Sequence, residues 1–214
     1  MTCDAEGCGH VELPPPVTTR TEEVAADVTN EGDPYILTRT GRFFFFDPLL
    51  EPESISVDGI AQSLSKICRF TGQTSKFYSV AAHSVVVAHL VRQKHGDEAG
   101  LQALLHDAPE AYLGDVSSPL KAILGETYRR LERLAMGAIL NVFGLEAPSP
   151  EIKSAIREAD MIALAMEKAE FMPFDSNPWP CLEGIEIPKE FVLPHSEPFR
   201  DAHEFARFFY LLRK

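Results

Sequence analysis

The residue types best able to do chemistry in this chain sit side by side: His106 and Asp107, within LQALLHDAPEAYLG. An imidazole and a carboxylate on consecutive residues reach one ion only if other parts of the chain complete its coordination. Suitable donors exist in His83, upstream in YSVAAHSVVVAHL, and Asp160, downstream in IREADMIALAMEKAE. Two His and two Asp make a mixed N/O set suited to a catalytic divalent metal with positions open for water and substrate. The dipeptide alone carries little weight, because seven His and eleven Asp in 214 residues give roughly 0.4 such pairs by chance. Requiring a Glu three residues later, where Glu110 stands, lowers that figure to about 0.04.

The wider string HDAPEAYLGDVSSPLK, taken with His83 and Asp160, resembles the HD-domain phosphohydrolases, particularly the bacterial HD-domain 5′-deoxynucleotidases and their phage-type relatives. The resemblance covers about residues 55–170. It implies that His83, His106, Asp107 and Asp160 ligate the metal and that Glu110 is the acidic helper beside them. The family's Gly-Asp and following Pro-x-Lys fall on Gly114-Asp115 and Pro119-Leu120-Lys121, and its Arg-aromatic pair falls on Arg69-Phe70. Two positions depart from the pattern. The nucleotidases usually have Trp where this chain has Phe70, which bears on sugar selectivity. They often have Glu before the first His, where this chain has Ala82; that second contact to the imidazole is then either missing or supplied by another element.

The chemistry expected of this set is metal-assisted phosphoester hydrolysis, with the ion (Mn²⁺, Co²⁺, Mg²⁺ or Fe²⁺) acidifying water and polarising a phosphoryl oxygen. Glu110 is the first candidate to position water or move protons, and Asp115 the second. Arg69 would clamp phosphate through its planar fork, with Lys76 and Lys121 as weaker phosphate candidates and Phe70 bordering the nucleoside. The leading expectation is removal of the 5′-phosphate from a (deoxy)nucleoside monophosphate. A (deoxy)nucleoside triphosphate triphosphohydrolase cuts the same ester bond and is the runner-up. A non-catalytic nucleotide-binding regulator is the alternative of another class, and a second-messenger phosphodiesterase lacks placeable extra ligands. The resemblance also implies a homodimer.

Positioning these side chains falls to helices. Residues 1–34 are polar and aperiodic and read as a flexible tail; Cys3, Cys8 and His10 lack the fourth ligand and paired spacing of a zinc knuckle. Residues 35–214 read as a single domain, mainly α, beginning with a small hairpin over 35–57 whose FFFF run clasps the helical body. The helical core is expected over 58–171. Asp58 would cap a helix reaching Phe70, Ser79 would start one stopped by Gly96, and Asp97 would open the helix carrying His106-Asp107 to Gly114. Further helices would follow Ser118-Pro119, ending near Gly144, and Ser149-Pro150, the latter bearing Asp160. A Pro-rich wrapping segment over 172–198 holds the single Trp, and a last helix lies within 199–214. His89, His95, His195 and His203 fit no ligand pattern and read as structural or surface residues.

Composition narrows the partners. The net charge of −12 opposes the broad basic surface that a grip on long nucleic acid requires, whereas a mononucleotide needs only a local pocket, for which Lys66, Arg69, Lys76 and Lys121 are candidates. No apolar run approaches the roughly 20 residues of a bilayer span, and the N-terminus lacks a signal-peptide pattern. Four scattered cysteines do not resemble a disulfide framework, so a reduced, cytoplasmic location is expected.

Overall fold

The computed structural model describes residues 34–46, 52–173 and 177–213. The chain divides into two units, Met1–Pro34 and Tyr35–Lys214. The expected tail and the dismissed Cys3/Cys8/His10 knuckle therefore lie outside the described residues, apart from Pro34. The second unit is mainly helical with one small antiparallel hairpin.

That hairpin pairs β1 (Tyr35–Leu37) with β2 (Phe43–Phe45), Ile36 opposite Phe44. Alternation decides which aromatic of the FFFF run goes inward: Phe44 is buried and stacks on Tyr112 with centroids 3.9 Å apart, while Phe43 stays exposed. The hairpin thus clasps the helical body as the pattern implied.

Helix α1 (Val57–Leu64) starts two residues earlier and stops sooner than expected. Ser56, not Asp58, is its cap, the Ser56 hydroxyl accepting from Gly59 N at 3.1 Å. It cannot run on to Phe70 because the next residues bond elsewhere. Val80 N donates to Ile67 O at 3.0 Å and Arg69 N to Tyr78 O at 2.8 Å, a short bridge pairing Cys68 with Ser79. Arg69-Phe70 therefore sits on a tight 3-10 turn, Arg69–Gly72, with Phe70 and Thr71 both left-handed (φ 55° and 56°).

Helix α2 (Val80–Leu104) is capped by Ser79, which accepts from Ala82 N at 3.0 Å, and bends at Gly96 (φ 85°, ψ −177°), where the stop was expected. The His-Asp pair, however, lies outside any regular helix. Pro109 has no N–H to continue an α ladder and its ring opposes the carbonyl four residues back. The chain instead makes three-residue turns, Ala108 N to Leu105 O and Glu110 N to Asp107 O, both 3.0 Å, before the single-turn helix α3 (Glu110–Leu113). Tight turns of this kind line up residues three apart, which draws Asp107 and Glu110 onto one side.

Helices α4 (Ser118–Val142), bent at Gly125, and α5 (Pro150–Phe171), capped by Ser149, follow the expected order, and α6 (Pro198–Leu212) closes the chain. α2 packs against α5 and α6, and α1 against α6 and α3. Phe205, Phe208 and Phe209 of α6 meet Ile60, Leu64, Val87 and Val91 in the core. The Pro-rich segment wraps back over this body. Asp201 of α6 accepts from Ser79 Oγ at 2.6 Å and from Ser196 Oγ at 2.5 Å, tying that segment to the start of α2. His89 stacks on Phe208 at 4.3 Å, and His95, His195 and His203 are exposed, in keeping with structural or surface roles. No described helix is long and apolar enough to cross a membrane.

Candidate metal centre

The packing of α2 on α5 brings His83, one turn into α2, against Asp160, midway along α5. The turns after α2 deliver His106 to the same point. A ring nitrogen of each imidazole and a carboxylate oxygen of Asp160 lie within 4.8 Å of one another. His83 Nε2 stands 3.2 Å from Asp160 Oδ1 and 3.6 Å from Asp107 Oδ2. His106 Nε2 stands 3.3 Å from the same Asp107 oxygen. Cis ligands of a divalent ion with bonds of about 2.1 Å sit roughly 3 Å apart, so these spacings match neighbouring ligands.

The opposite face of each ring fixes its tautomer. His106 Nδ1 lies 2.7 Å from Ala103 O, and a carbonyl can only accept, so Nδ1 carries the proton. His83 Nδ1 lies 2.6 Å from Glu167 Oε1, and Glu167 is an acceptor too because it is ionised. Burial disfavours that charge, but His83 and Arg69 hold its pKa below the ordinary carboxylate range. Both Nε2 atoms therefore turn toward the carboxylates of Asp107 and Asp160, buried and, while the rings are neutral, without a hydrogen-bond partner; only a second proton on His83 would let its Nε2 donate to Asp160. Such atoms are costly to leave unsatisfied. A cation shared with Asp160 removes that cost, and the donor set fits one.

Electrostatics shows the same strain. Burial and then Arg69 lower the His83 pKa, yet Glu167 and the bonds to Asp160 and Glu167 outweigh them and raise it to about 10. Burial works against a charge on Asp160 as well, but the bond to His83 and its charge hold the Asp160 pKa down. A proton on His83 thus stands where a metal would bind.

Glu167 escaped the sequence reading. It is seven residues, two helical turns, past Asp160 and so shares its face of α5. Fully buried, it holds His83 through one oxygen and Arg69 Nε through the other, at 3.1 Å. It supplies the imidazole contact that Ala82 cannot. The signal was the acidic residue at that spacing in ADMIALAMEKAE.

Among the remaining expected residues, Arg69 reaches the cluster, its Nη1 4.0 Å from Asp107 Oδ2 and its terminal nitrogens without a hydrogen bond among the described residues. Phe70 is half-buried beside it, its ring centroid 5.6 Å from the guanidinium carbon. Glu110 is buried; one oxygen takes Lys121 Nζ at 3.1 Å and the other has no partner. Burial, then Asp107 and Asp115, push its pKa up to about 9 against the pull of Lys121. Asp115 is partly buried near the same charges, and burial first, opposed by Arg69, raises its pKa.

Three of the expected cations already have partners. Lys121 is not a free phosphate cation: Glu132 of α4 takes it at 2.8 Å while Glu110 takes it from the other side, because the bent start of α4 lays it over α3. Lys76 pairs at 3.3 Å with Glu170 on an exposed surface, since its loop leads away along the end of α5. Lys66, in the turn after α1, bonds back to Gln62 of that helix.

No family model matches the chain. It is similar to the uncharacterized protein YfdR of Escherichia coli, 40% identical over 161 residues that span 75% of this chain and 85% of YfdR. It is also similar to an uncharacterized protein of Rhodobacter capsulatus (RCAP_rcc00048), 39% identical over 140 residues, 62% of this chain and 70% of that protein. The first of these alignments covers 75% of the chain, and by it the chain belongs to the family of YfdR.

Proposed function

We propose that the chain is a divalent-metal-dependent phosphohydrolase of the HD-domain type that removes the 5′-phosphate from (deoxy)nucleoside monophosphates. The observation that carries this reading is the convergence of two buried, tautomer-fixed Nε2 atoms on Asp160 and Asp107. A divalent cation in that position (Mn²⁺, Co²⁺, Mg²⁺ or Fe²⁺) supplies Lewis-acid polarisation of a phosphoryl oxygen and acidifies water.

The chain's own residues do the rest. Arg69, anchored at Nε by Glu167, offers its terminal nitrogens to phosphate oxygens and orients the group beside the ligand cluster. Glu110, with a raised pKa, holds a proton at neutral pH and gives it to the departing 5′-oxygen or relays one from water. Lys121 and Glu132 fix its carboxyl in place. Asp115, close in charge to Arg69 and Asp107, is the alternative proton acceptor.

Monophosphate is favoured over triphosphate because the lysines that would have gripped further phosphates are engaged or turned away. A catalytic role is favoured over regulatory binding because a buried carboxyl with one unpartnered oxygen beside the cluster is poised for proton transfer. A cytoplasmic setting suits the free thiols of Cys68 and Cys181. The proposal extends to a homodimer with a small-molecule substrate and no long nucleic acid.

The test is a metal-supplemented screen of nucleoside mono- and triphosphates with identified products. Inorganic phosphate and nucleoside from monophosphates are expected. Tripolyphosphate would assign the triphosphohydrolase reading, and nucleotide binding without turnover would assign the regulatory one.

A further inference from the structure

We propose that Trp179 and Phe70 form the surface that receives the nucleoside, making Trp179 the residue that separates a nucleotide from a bare sugar phosphate. This inference rests on the nucleotide reading above and specifies its substrate contact. Trp179 is the only Trp in the chain. Its ring centroid lies 6.2 Å from that of Phe70, with the planes tilted by 56°. Phe70 in turn lies against Arg69, the guanidinium that faces the ligand cluster. An aromatic corner thus adjoins the phosphate anchor.

Several features show that this corner is built. Phe70 is held in the left-handed region together with Thr71, a conformation that costs L residues energy and persists where surroundings enforce it, often at binding sites. Lys168 follows Glu167, so the helix that places Glu167 on His83 and Arg69 also carries Lys168 to Trp179, its Nζ 4.6 Å from the ring centroid. Trp179 is flanked by Pro178 and Pro180. Pro180 restricts the backbone of Trp179 to extended conformations, which limits where the ring can be carried. Arg69 abuts Phe70, and Phe70 neighbours Trp179, so a nucleoside attached to a phosphate held by Arg69 starts beside these two rings. Aromatic faces accept any base by stacking.

The experiment compares Trp179→Ala and Trp179→Phe on 2′-deoxyadenosine 5′-monophosphate and on 2-deoxyribose 5-phosphate, which lacks a base. Trp179→Ala should raise KM for the nucleotide by roughly 5- to 100-fold with kcat little changed, and leave the sugar phosphate unaffected; Trp179→Phe should restore most of the loss. In parallel, the fluorescence of the single Trp is followed during nucleotide titration in EDTA, without turnover. Saturable quenching is expected, shifted to higher concentration in Phe70→Ala. Equal effects on both substrates, or on neither, would overturn the role of Trp179 while nucleotide hydrolysis stands. If the wild type hydrolyses no phosphomonoester, the nucleotide reading has failed; the titration still decides the aromatic site, with saturable quenching supporting it and none overturning it.

Discussion

At the scale of single residues, the two imidazoles are oriented by what they touch on the side away from the cluster. Glu167 does this for His83, so Glu167→Gln is expected to weaken metal binding about 10- to 100-fold, because such outer contacts tune ligand basicity. It also leaves Arg69 without its buried counter-charge, and Glu167→Ala should cost about 3–5 kcal/mol in urea unfolding. An unaltered metal affinity would remove Glu167 from the site. Glu110→Ala is expected to retain metal and lose turnover, since Glu110 contacts Lys121 rather than the ligand cluster; retained turnover would exclude it from proton transfer.

The pH response follows from His83. Its folded pKa, about 10, lies above the ordinary value of about 6.5. In the metal-free protein its proton therefore contributes stability fully below pH ~6.5, and that contribution is lost as pH rises through 10. The depressed carboxylates Asp160 and Glu167 act with the opposite sign, their contribution present above their unfolded values and lost in acid. Because metal must displace the His83 proton, Mn²⁺ affinity should climb about tenfold per pH unit between pH 6.5 and 8.5. Calorimetry in buffers of different protonation enthalpy should show proton release on binding. A pH-independent affinity would show that His83 is not a ligand.

Elements supply the geometry that residues alone cannot. Gly96 lets α2 bend at φ 85°, ψ −177°, a region open essentially to glycine, and nothing lies within 4 Å of where its Cβ would stand. Gly96→Ala should thus cost about 1–3 kcal/mol through backbone strain alone. It should also loosen metal binding by shifting His106 relative to His83; a neutral change in both would contradict this. Thr71, exposed and left-handed, is a converse case: Thr71→Asn should stabilise by up to about 1 kcal/mol, since Asn tolerates that conformation.

These elements also mark the limits of what the sequence revealed. Serine caps, glycine stops and the order of the helices were readable because they are local. The early end of α1 was not, because Ile67 and Arg69 bond to residues 78–80 across a loop. The departure of His106-Asp107 from a helix was written in Pro109, whose effect the apolar periodicity masked. Glu167 was hidden because its partner is 84 positions away, and only the packing of α2 on α5 joins them. The lysine pairings were hidden for a similar reason: sequence shows a positive charge but not the carboxylate beside it.

At the scale of the whole molecule, a chain with net charge −12 presents anionic substrates with a mainly unfavourable field, relieved locally by Arg69. Small monoanions and dianions should therefore reach the site, while fluorescently labelled single- and double-stranded DNA should show no binding at physiological salt by anisotropy. Tight, salt-sensitive DNA binding would contradict the small-substrate reading. Asp107 lies in the turns after α2 and is not part of the core of α1, α2 and α6, so Asp107→Ala should keep native circular dichroism while losing metal and hydrolysis together.

The claim beneath all of this is that one cation sits among His83, His106, Asp107 and Asp160. Anomalous diffraction at the manganese edge, from crystals grown with Mn²⁺, tests it most directly. A single peak within coordination distance of both Nε2 atoms and an Asp160 oxygen is the predicted result. Those side chains turned apart, with no anomalous density between them at saturating Mn²⁺, would contradict it.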